Sequence, residues 1–296
     1  MKVLVCDPLA DEAIDILKDA GLEVDVKTGQ SPEELADNIK GYHAIIVRSA
    51  TKVRKPAIDA ADELKAIARG GIGLDNIDVE YAESKGIQVL NTPAASTRSV
   101  AELTIAHMFA MARHIAYADA SMKAGKWEKK QLKGIELQGK TLGIIGYGRI
   151  GQETARIADA LGMTVIGWDK FTPKSPVDFI KRVEFDELLK KSDFISLHIP
   201  FDKEAGPTLG KDEFAKMKDG VYLVNCARGG TVDEAALLDA LKSGKVAKAA
   251  VDVFENEPTD NTGLVNHTNV NCTPHLGAST VEGQQRVGTE VAQKVI

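Results

Sequence analysis

The sequence predicts an α/β protein built from two doubly wound parallel sheets. Three features carry that reading: short apolar runs rich in Val, Ile and Leu, amphipathic helical patterns between them, and glycines that close those helices. Runs at residues 2–7, 22–27, 44–48, 66–69 and 88–90 are the strands of a first series. The helical patterns between them end on Gly21, Gly41 and Gly86, the usual left-handed stop. Ser31-Pro32-Glu33-Glu34 reads as a helix start, with a cap, a proline at the first helical position and a glutamate three after the cap. Five such units imply a parallel sheet covered by helices on both faces.

Ser99-Val100-Ala101-Glu102 has the pattern of a second capping box and opens one long helix over 99–123. A lysine-rich segment, 125–140, follows with Trp127 inside it. This change of composition places an inter-domain crossing in the helix and its loop. A second series then begins at Lys140, with strands over 142–145, 164–168, 194–198, 222–225, 249–253 and 269–272. Thr231-Val232-Asp233-Glu234 is read as another capping box, for a helix running to Gly244. Six strands with helical crossovers match a doubly wound dinucleotide-binding fold.

Composition agrees. A chain of 296 residues is about two domains long. Apolar residues at 44% and charged residues at 27% exclude a disordered protein. Cys6, Cys226 and Cys272 are too few and too far apart for a disulfide framework or a CxxC metal knuckle, and suit a reducing compartment. With 37 basic and 43 acidic residues the net charge is −6, which disfavours general nucleic-acid binding. Met1-Lys2-Val3-Leu4-Val5-Cys6-Asp7 has no secretory signal pattern. Residues 103–118, the most apolar long stretch, include His107, Arg113 and His114 and are too short and polar to span a bilayer. The expectation is a cytoplasmic protein with no membrane and no nucleic-acid partner. Residues 281–296 read as a helix without a stop at its end, so a short tail beyond Ile296 is expected.

Gly146-Tyr147-Gly148-Arg149-Ile150-Gly151 follows a buried-strand pattern and opens a helical one that Gly162 stops. The first glycine permits a tight turn, the second lets backbone approach a pyrophosphate, and the third lets helix and strand pack closely. Amides at the helix N-terminus then hold phosphates. Asp169 closes the next strand, where a carboxylate accepts hydrogen bonds from ribose hydroxyls and repels a 2′-phosphate. That favours NAD over NADP, although Lys170 stands beside it.

Three further residues lie just past strand ends, where ligands bind in open α/β sheets: Arg228, Glu257 and His275. A histidine can take a hydroxyl proton as hydride leaves the same carbon. A neighbouring carboxylate orients the ring and favours its protonated form. An arginine can bind a substrate carboxylate through two parallel hydrogen bonds. Singly, each has an ordinary structural explanation: a surface ion pair, a solvated turn, a helix cap. Together, after three successive strands of one domain, they point to hydride transfer at a carbinol carbon.

These segments, with Asn225-Cys226-Ala227-Arg228-Gly229-Gly230, Asp252-Val253-Phe254-Glu255-Asn256-Glu257-Pro258 and Pro274-His275-Leu276-Gly277-Ala278-Ser279-Thr280, resemble the D-isomer-specific 2-hydroxyacid dehydrogenases along essentially the whole chain. The resemblance implies a Rossmann NAD domain over 96–279 inserted into a flavodoxin-like substrate domain over 1–95, completed by 280–296. It implies Arg228, Glu257 and His275 as the catalytic set. It implies an NAD site formed by Gly146, Gly148, Arg149, Ile150, Gly151, Asp169, His198, Pro200, Cys226, Ala227, Asp252, Gly277 and Ala278. It implies substrate contacts from Arg48, Ser49, Gly71, Ile72 and Gly73, with backbone at 71–73 helping to seat the carboxylate. A homodimer, or a tetramer built from dimers, is implied through the NAD domain and helix 99–123.

Val47-Arg48-Ser49-Ala50-Thr51, Arg69-Gly70-Gly71-Ile72-Gly73 and Lys126-Trp127 resemble most the branch of the family that oxidises 3-phospho-D-glycerate to 3-phosphohydroxypyruvate, the entry to L-serine synthesis. Such a substrate carries about three negative charges and needs cations. Arg48 is the leading candidate, with Lys52 and Arg54 nearby. Lys126, Lys129, Lys130 and Lys133 form an arm expected to reach a neighbouring subunit's cleft or else to be a solvated loop. A reductase of hydroxypyruvate, glyoxylate or another 2-keto acid is the alternative enzyme. A non-catalytic NAD-sensing corepressor of the same family is the alternative of another class, because it keeps the same arginine, glutamate and histidine. The chain is too short for the serine-binding regulatory domains of longer members, so no serine inhibition through one is expected. No metal site is expected: His107 and His114 share a helix face without an acidic partner, and interface packing is their expected role.

Overall fold

The computed structural model describes residues 1–296. Contacts divide them into two compact units, Met1–Thr97 with Ala278–Ile296, and Arg98–Gly277.

In the first unit the strands are β1 (Lys2–Val5), β2 (Glu23–Val26), β3 (Ala44–Val47), β4 (Ala66–Arg69) and β5 (Gln88–Asn91). They pair in parallel in the order β2-β1-β3-β4-β5. Interior β1 and β3 are buried on both faces and therefore read as unbroken apolar runs, while edge β2 keeps Glu23 and Asp25. One face packs Leu4, Ile45 and Ile67 with Leu35, Ile39 and Ile58. The other packs Val3, Val5 and Ile46 with Leu17, Val291 and Ala292, the last two from the helix Val281–Val295. Ser31 forms its predicted capping box, accepting from the Glu34 amide at 3.2 Å while Glu34 accepts from the Ser31 amide at 2.8 Å. The winding direction reverses between β1 and β3, so the loops that follow those strands open a crevice.

In the second unit seven parallel strands run in the order β12-β11-β10-β9-β6-β7-β8. They are β6 (Thr141–Ile145), β7 (Thr164–Trp168), β8 (Lys181–Arg182), β9 (Phe194–Leu197), β10 (Val221–Asn225), β11 (Val246–Val251) and β12 (Val270–Cys272). The reversal falls between β6 and β9, as in a Rossmann sheet. Six of the seven were legible. β8 is two residues long, too short for any periodic signal, and exists through its pairing with Ile166 and Gly167.

Three local expectations are corrected. The single helix over 99–123 is two helices, Thr97–Ala112 and Ile115–Lys123, broken at His114, whose backbone is left-handed at φ 57°. The break is tertiary: the Ala112 carbonyl accepts from the Ile135 amide at 2.9 Å, and a Cβ on Gly134 would come within 2.5 Å of that oxygen. Ser99 is not a cap, because the first of these helices starts two residues earlier and Glu102 pairs with Arg98 instead. Thr231 is not a cap either. Asp233 caps Glu234–Lys242 by accepting from the Ala236 amide at 2.9 Å. No helix is long and apolar enough to cross a membrane.

Candidate active site

The glycine-rich turn leaves β6 at the switch point of the second unit. Gly146 has φ 85°, and a Cβ there would strike the His198 carbonyl at 2.7 Å. A Cβ on Gly151 would lie 2.1 Å from the Gly146 carbonyl, so only glycine lets the helix Arg149–Ala160 start this close to the strand. Gly148 differs: nothing lies within 4 Å of its Cβ position. This helix begins on an open face, has no side-chain cap and carries no acid in its first turn, with Arg149 exposed at its start and Ile150 half-buried. An anion fits that cradle. Asp169 follows β7, and its carboxylate accepts from the Tyr147 amide of the glycine turn (3.2 Å) and from the amides of Phe171 (2.9 Å) and Thr172 (3.0 Å) just beyond it.

His198 follows β9, and its Nε2 lies 2.9 Å from the Ser196 hydroxyl. Burial pushes its pKa down to about 3, so the ring is neutral at any ordinary pH. Its Nδ1 is buried without a hydrogen-bond partner. Pro200 is exposed two residues on. Cys226 and Ala227 are buried after β10. Burial and the Asp252 charge both raise the Cys226 thiol well above its ordinary value, which keeps it neutral and unreactive.

Arg228 is set by its own turn. Asn225 Nδ2 donates to the Arg228 carbonyl at 3.2 Å, and the Thr231 hydroxyl donates to the same oxygen at 2.6 Å. Glu257 and His275 meet directly, Nδ1 to Oε2, at 2.7 Å. The other Glu257 oxygen accepts from the Phe254 amide at 3.1 Å. Burial resists ionisation of Glu257, but the His275 hydrogen bond and charge, the Phe254 amide and the Arg228 charge outweigh it and hold the carboxyl below its usual value. The second unit therefore brings the three residues of the expected catalytic set into one electrostatic neighbourhood. The ring nitrogen of His275 remote from Glu257 is left for a reacting group.

Asp252, expected to line an NAD site, is 0% exposed. Its partners are the loop that carries His275: Thr273 Oγ1 at 2.6 Å, the Leu276 amide at 2.7 Å and the Gly277 amide at 2.9 Å. Ala278, the next residue, is half-buried.

In the first unit, Arg48 and Ser49 follow β3 beside Asp7, which follows β1. The Asp7 carboxylate accepts from the Arg48 amide and from the Thr51 amide and hydroxyl. Asn76 Nδ2 donates to the carbonyls of Arg48 and Thr51, each at 2.7 Å. The Arg48 Nε is buried without a hydrogen-bond partner. Arg54 is committed elsewhere, to Asp78 at 2.9 Å. The Gly71 amide, expected to help seat a carboxylate, instead donates to Thr92 Oγ1 at 2.7 Å. Ile72 and Gly73 stand half-buried beyond it, and Asn91 Nδ2 donates to the Ile72 carbonyl at 2.6 Å. Asp7 and Asn76 were missed by sequence reasoning, although Asp7 lies just past a strand end, the same signal that singled out Arg228. No group of three or more His, Cys, Asp or Glu side chains is arranged to hold a metal ion.

Residues 105–277 match the family described as D-isomer specific 2-hydroxyacid dehydrogenase, NAD binding domain. The chain is 52% identical over 299 residues to the D-3-phosphoglycerate dehydrogenase of Archaeoglobus fulgidus, a match that covers all of this chain and 57% of that protein. It thus spans little more than half the length of that relative. It is also 52% identical over 300 residues to the hydroxypyruvate reductase of Thermotoga maritima, covering 99% of this chain and 97% of the relative. Among solved structures it is similar to the TT0316 protein from Thermus thermophilus, with TM-score 0.91 and 36% identity over 99% of this chain and 94% of that one. It is similar also to the D-lactate dehydrogenase from Aquifex aeolicus complexed with NAD and lactic acid, with TM-score 0.86 and 31% identity over 100% and 94% of the two chains.

Proposed function

The chain belongs to the D-isomer specific 2-hydroxyacid dehydrogenase family, and from that premise we propose that it oxidises 3-phospho-D-glycerate to 3-phosphohydroxypyruvate with NAD, the first step of L-serine synthesis. The observation that carries the reading is the 2.7 Å pair of His275 and Glu257 under the influence of the Arg228 charge. A base, its orienting carboxylate and a carboxylate-binding cation are what oxidation of a 2-hydroxy acid requires.

The residues present fit NAD. The open cradle at Gly148 and the helix it starts would hold the pyrophosphate, and Asp169 would take the adenine ribose. When bound, NAD supplies the nicotinamide that accepts hydride from the substrate carbon. Arg228 seats the substrate carboxylate. His275 takes the hydroxyl proton on its outward nitrogen, and Glu257 holds the ring in place and stabilises the imidazolium that forms. Arg48, on the loop after β3, takes the substrate phosphate.

The match to the hydroxypyruvate reductase over nearly the full length of both chains supports a second reading, reduction of an unphosphorylated 2-keto acid. Initial rates separate the two. NADH formation with 3-phosphoglycerate at a kcat/KM far above that for glycerate or D-lactate is expected, and equal values for phosphorylated and plain acids would replace the first reading with the second.

The protein is proposed to act in the cytoplasm, where three unpaired cysteines remain reduced. It is proposed to form a dimer through the outer faces of Thr97–Ala112 and Ile115–Lys123, where Phe109, Ile115, Tyr117 and Met122 are exposed apolar side chains. Trp127, 78% exposed, lies on the lysine-rich arm beyond. Sedimentation equilibrium at about twice the chain mass is the expected result.

A further inference from the structure

His107 lies in the middle of Thr97–Ala112 and points inward, contrary to the interface role expected of it: it is 5% exposed. Its Nε2 is 3.1 Å from Thr273 Oγ1. That hydroxyl has one proton, and Asp252 Oδ1 at 2.6 Å accepts it. The threonine oxygen can therefore only accept from His107, which must carry a proton on Nε2. Asp252 in turn accepts from the amides of Leu276 and Gly277, and its own carbonyl accepts from the His275 amide at 2.9 Å. His275 lies within this knot and takes a left-handed backbone, φ 53°, which a non-glycine residue keeps only when its surroundings impose it.

We infer that His107 is a positioning residue: through Thr273 and Asp252 it locks the loop 273–277 in the conformation that aims the His275 ring at Glu257. The directionality of the chain is the reason. Without the Nε2–H donor, the Thr273 hydroxyl is free to rotate. Asp252, buried and bonded on both oxygens, then has an orienting partner that is no longer fixed. Burial lowers the pKa of His107, against the opposing pull of Asp252, which is consistent with a neutral ring bearing the single proton that the geometry places on Nε2. The inference rests on the proposed role of His275 only for its kinetic half.

Two variants separate a donor from a space-filler. Gln places an amide N–H near the position of Nε2, whereas Met fills similar volume with no donor. Amide hydrogen exchange at Leu276 and Gly277 reads the loop whatever the chemistry. Exchange about tenfold faster in His107→Met, with recovery in His107→Gln, is expected for loss of one buried hydrogen bond. With 3-phosphoglycerate, kcat is expected to fall about tenfold in His107→Met at unchanged KM for NAD, and to recover in His107→Gln. Thr273→Val should match His107→Met in both readouts. Unchanged exchange in His107→Met overturns the inference, and so does equal damage in the Gln and Met variants. Faster exchange with unaltered kcat, in an enzyme that His275→Ala inactivates, overturns its kinetic half. An active His275→Ala enzyme overturns the proposed base instead, and exchange alone then decides whether His107 holds the loop.

Discussion

The two units share doubly wound parallel winding and use it in opposite ways. Each sheet reverses its winding once, between β1 and β3 in the first and between β6 and β9 in the second. At the first reversal the loops are held by side chains: the Asp7 carboxylate and the Asn76 amide bind the backbone of Arg48 and Thr51. At the second, glycine shapes the turn, through a left-handed Gly146 and a contact at Gly151 too close for any Cβ. A polar clamp fixes a loop that presents a cation. A bare backbone clears a surface against which a large anion can lie. One crevice is thus built to supply charge and the other to supply amides and space.

Substitutions can break that contrast, and the largest effect belongs to the second unit. His275→Ala is expected to lower kcat about a thousandfold while KM for NAD stays within a factor of about two, because only the general base is lost. Near-native kcat would remove His275 from the chemistry. In the first unit Arg48→Ala is expected to raise KM for 3-phosphoglycerate about thirtyfold, the worth of a charge-assisted contact, and to leave plain glycerate unaffected. Lys130→Ala should change the same KM about twofold, since an exposed lysine is strongly screened. Unchanged KM in the arginine variant would take the phosphate away from this crevice.

Glycine substitutions sharpen the contrast within one turn. Gly151→Ala forces a contact with the Gly146 carbonyl and is expected to cost about 1–3 kcal/mol of stability along with NAD binding. Gly148→Ala meets nothing in the protein and should leave Tm unchanged while weakening NAD about tenfold in a titration. Equal melting losses in both would mean that the turn is only structural.

A further effect on stability is electrostatic. Arg156 and Arg98 bind Glu153 and, against its partial burial, hold its pKa down to about 2 from 4.5. A carboxyl depressed in the folded state adds stability above its unfolded pKa and loses it as pH falls through the folded value. Glu153→Gln is therefore expected to cost about 1 kcal/mol at pH 7 once solvent screening is allowed for, with the difference from wild type vanishing near pH 2. Denaturant melts at both pH values measure it.

What was legible in the sequence follows the range of the interactions. Strands β1 and β3 showed as apolar runs because they are buried on both faces, and Ser31 showed as a cap because its partner is three residues away. The same capping pattern misled at Ser99 and Thr231: the first helix starts at Thr97, and at the second Asp233 takes the cap while the Thr231 hydroxyl donates to the Arg228 carbonyl. Nothing near His114 announces the helix break, since Gly134 and Ile135 impose it from a distant loop. Arg228, Glu257 and His275 could be picked out because strand ends mark where ligands bind. The restraint on His275 could not, because Asp252 and His107 lie 23 and 168 positions before it in the chain and their bonds form only in the folded unit.

The helix Val281–Val295 packs Val291, Ala292 and Val295 against Val3, Val5, Ala13 and Leu17. On a ribosome those four early residues emerge long before the helix that covers them. All of 98–277 must be translated in between, at roughly 5–20 residues per second, while that contiguous unit can complete its own cores. The first unit is thus begun before the second and completed after it, and one apolar face of its sheet waits roughly ten to forty seconds for cover. Chaperone binding to stalled nascent chains should accordingly map to this face and end once Val281–Val295 has cleared the exit tunnel.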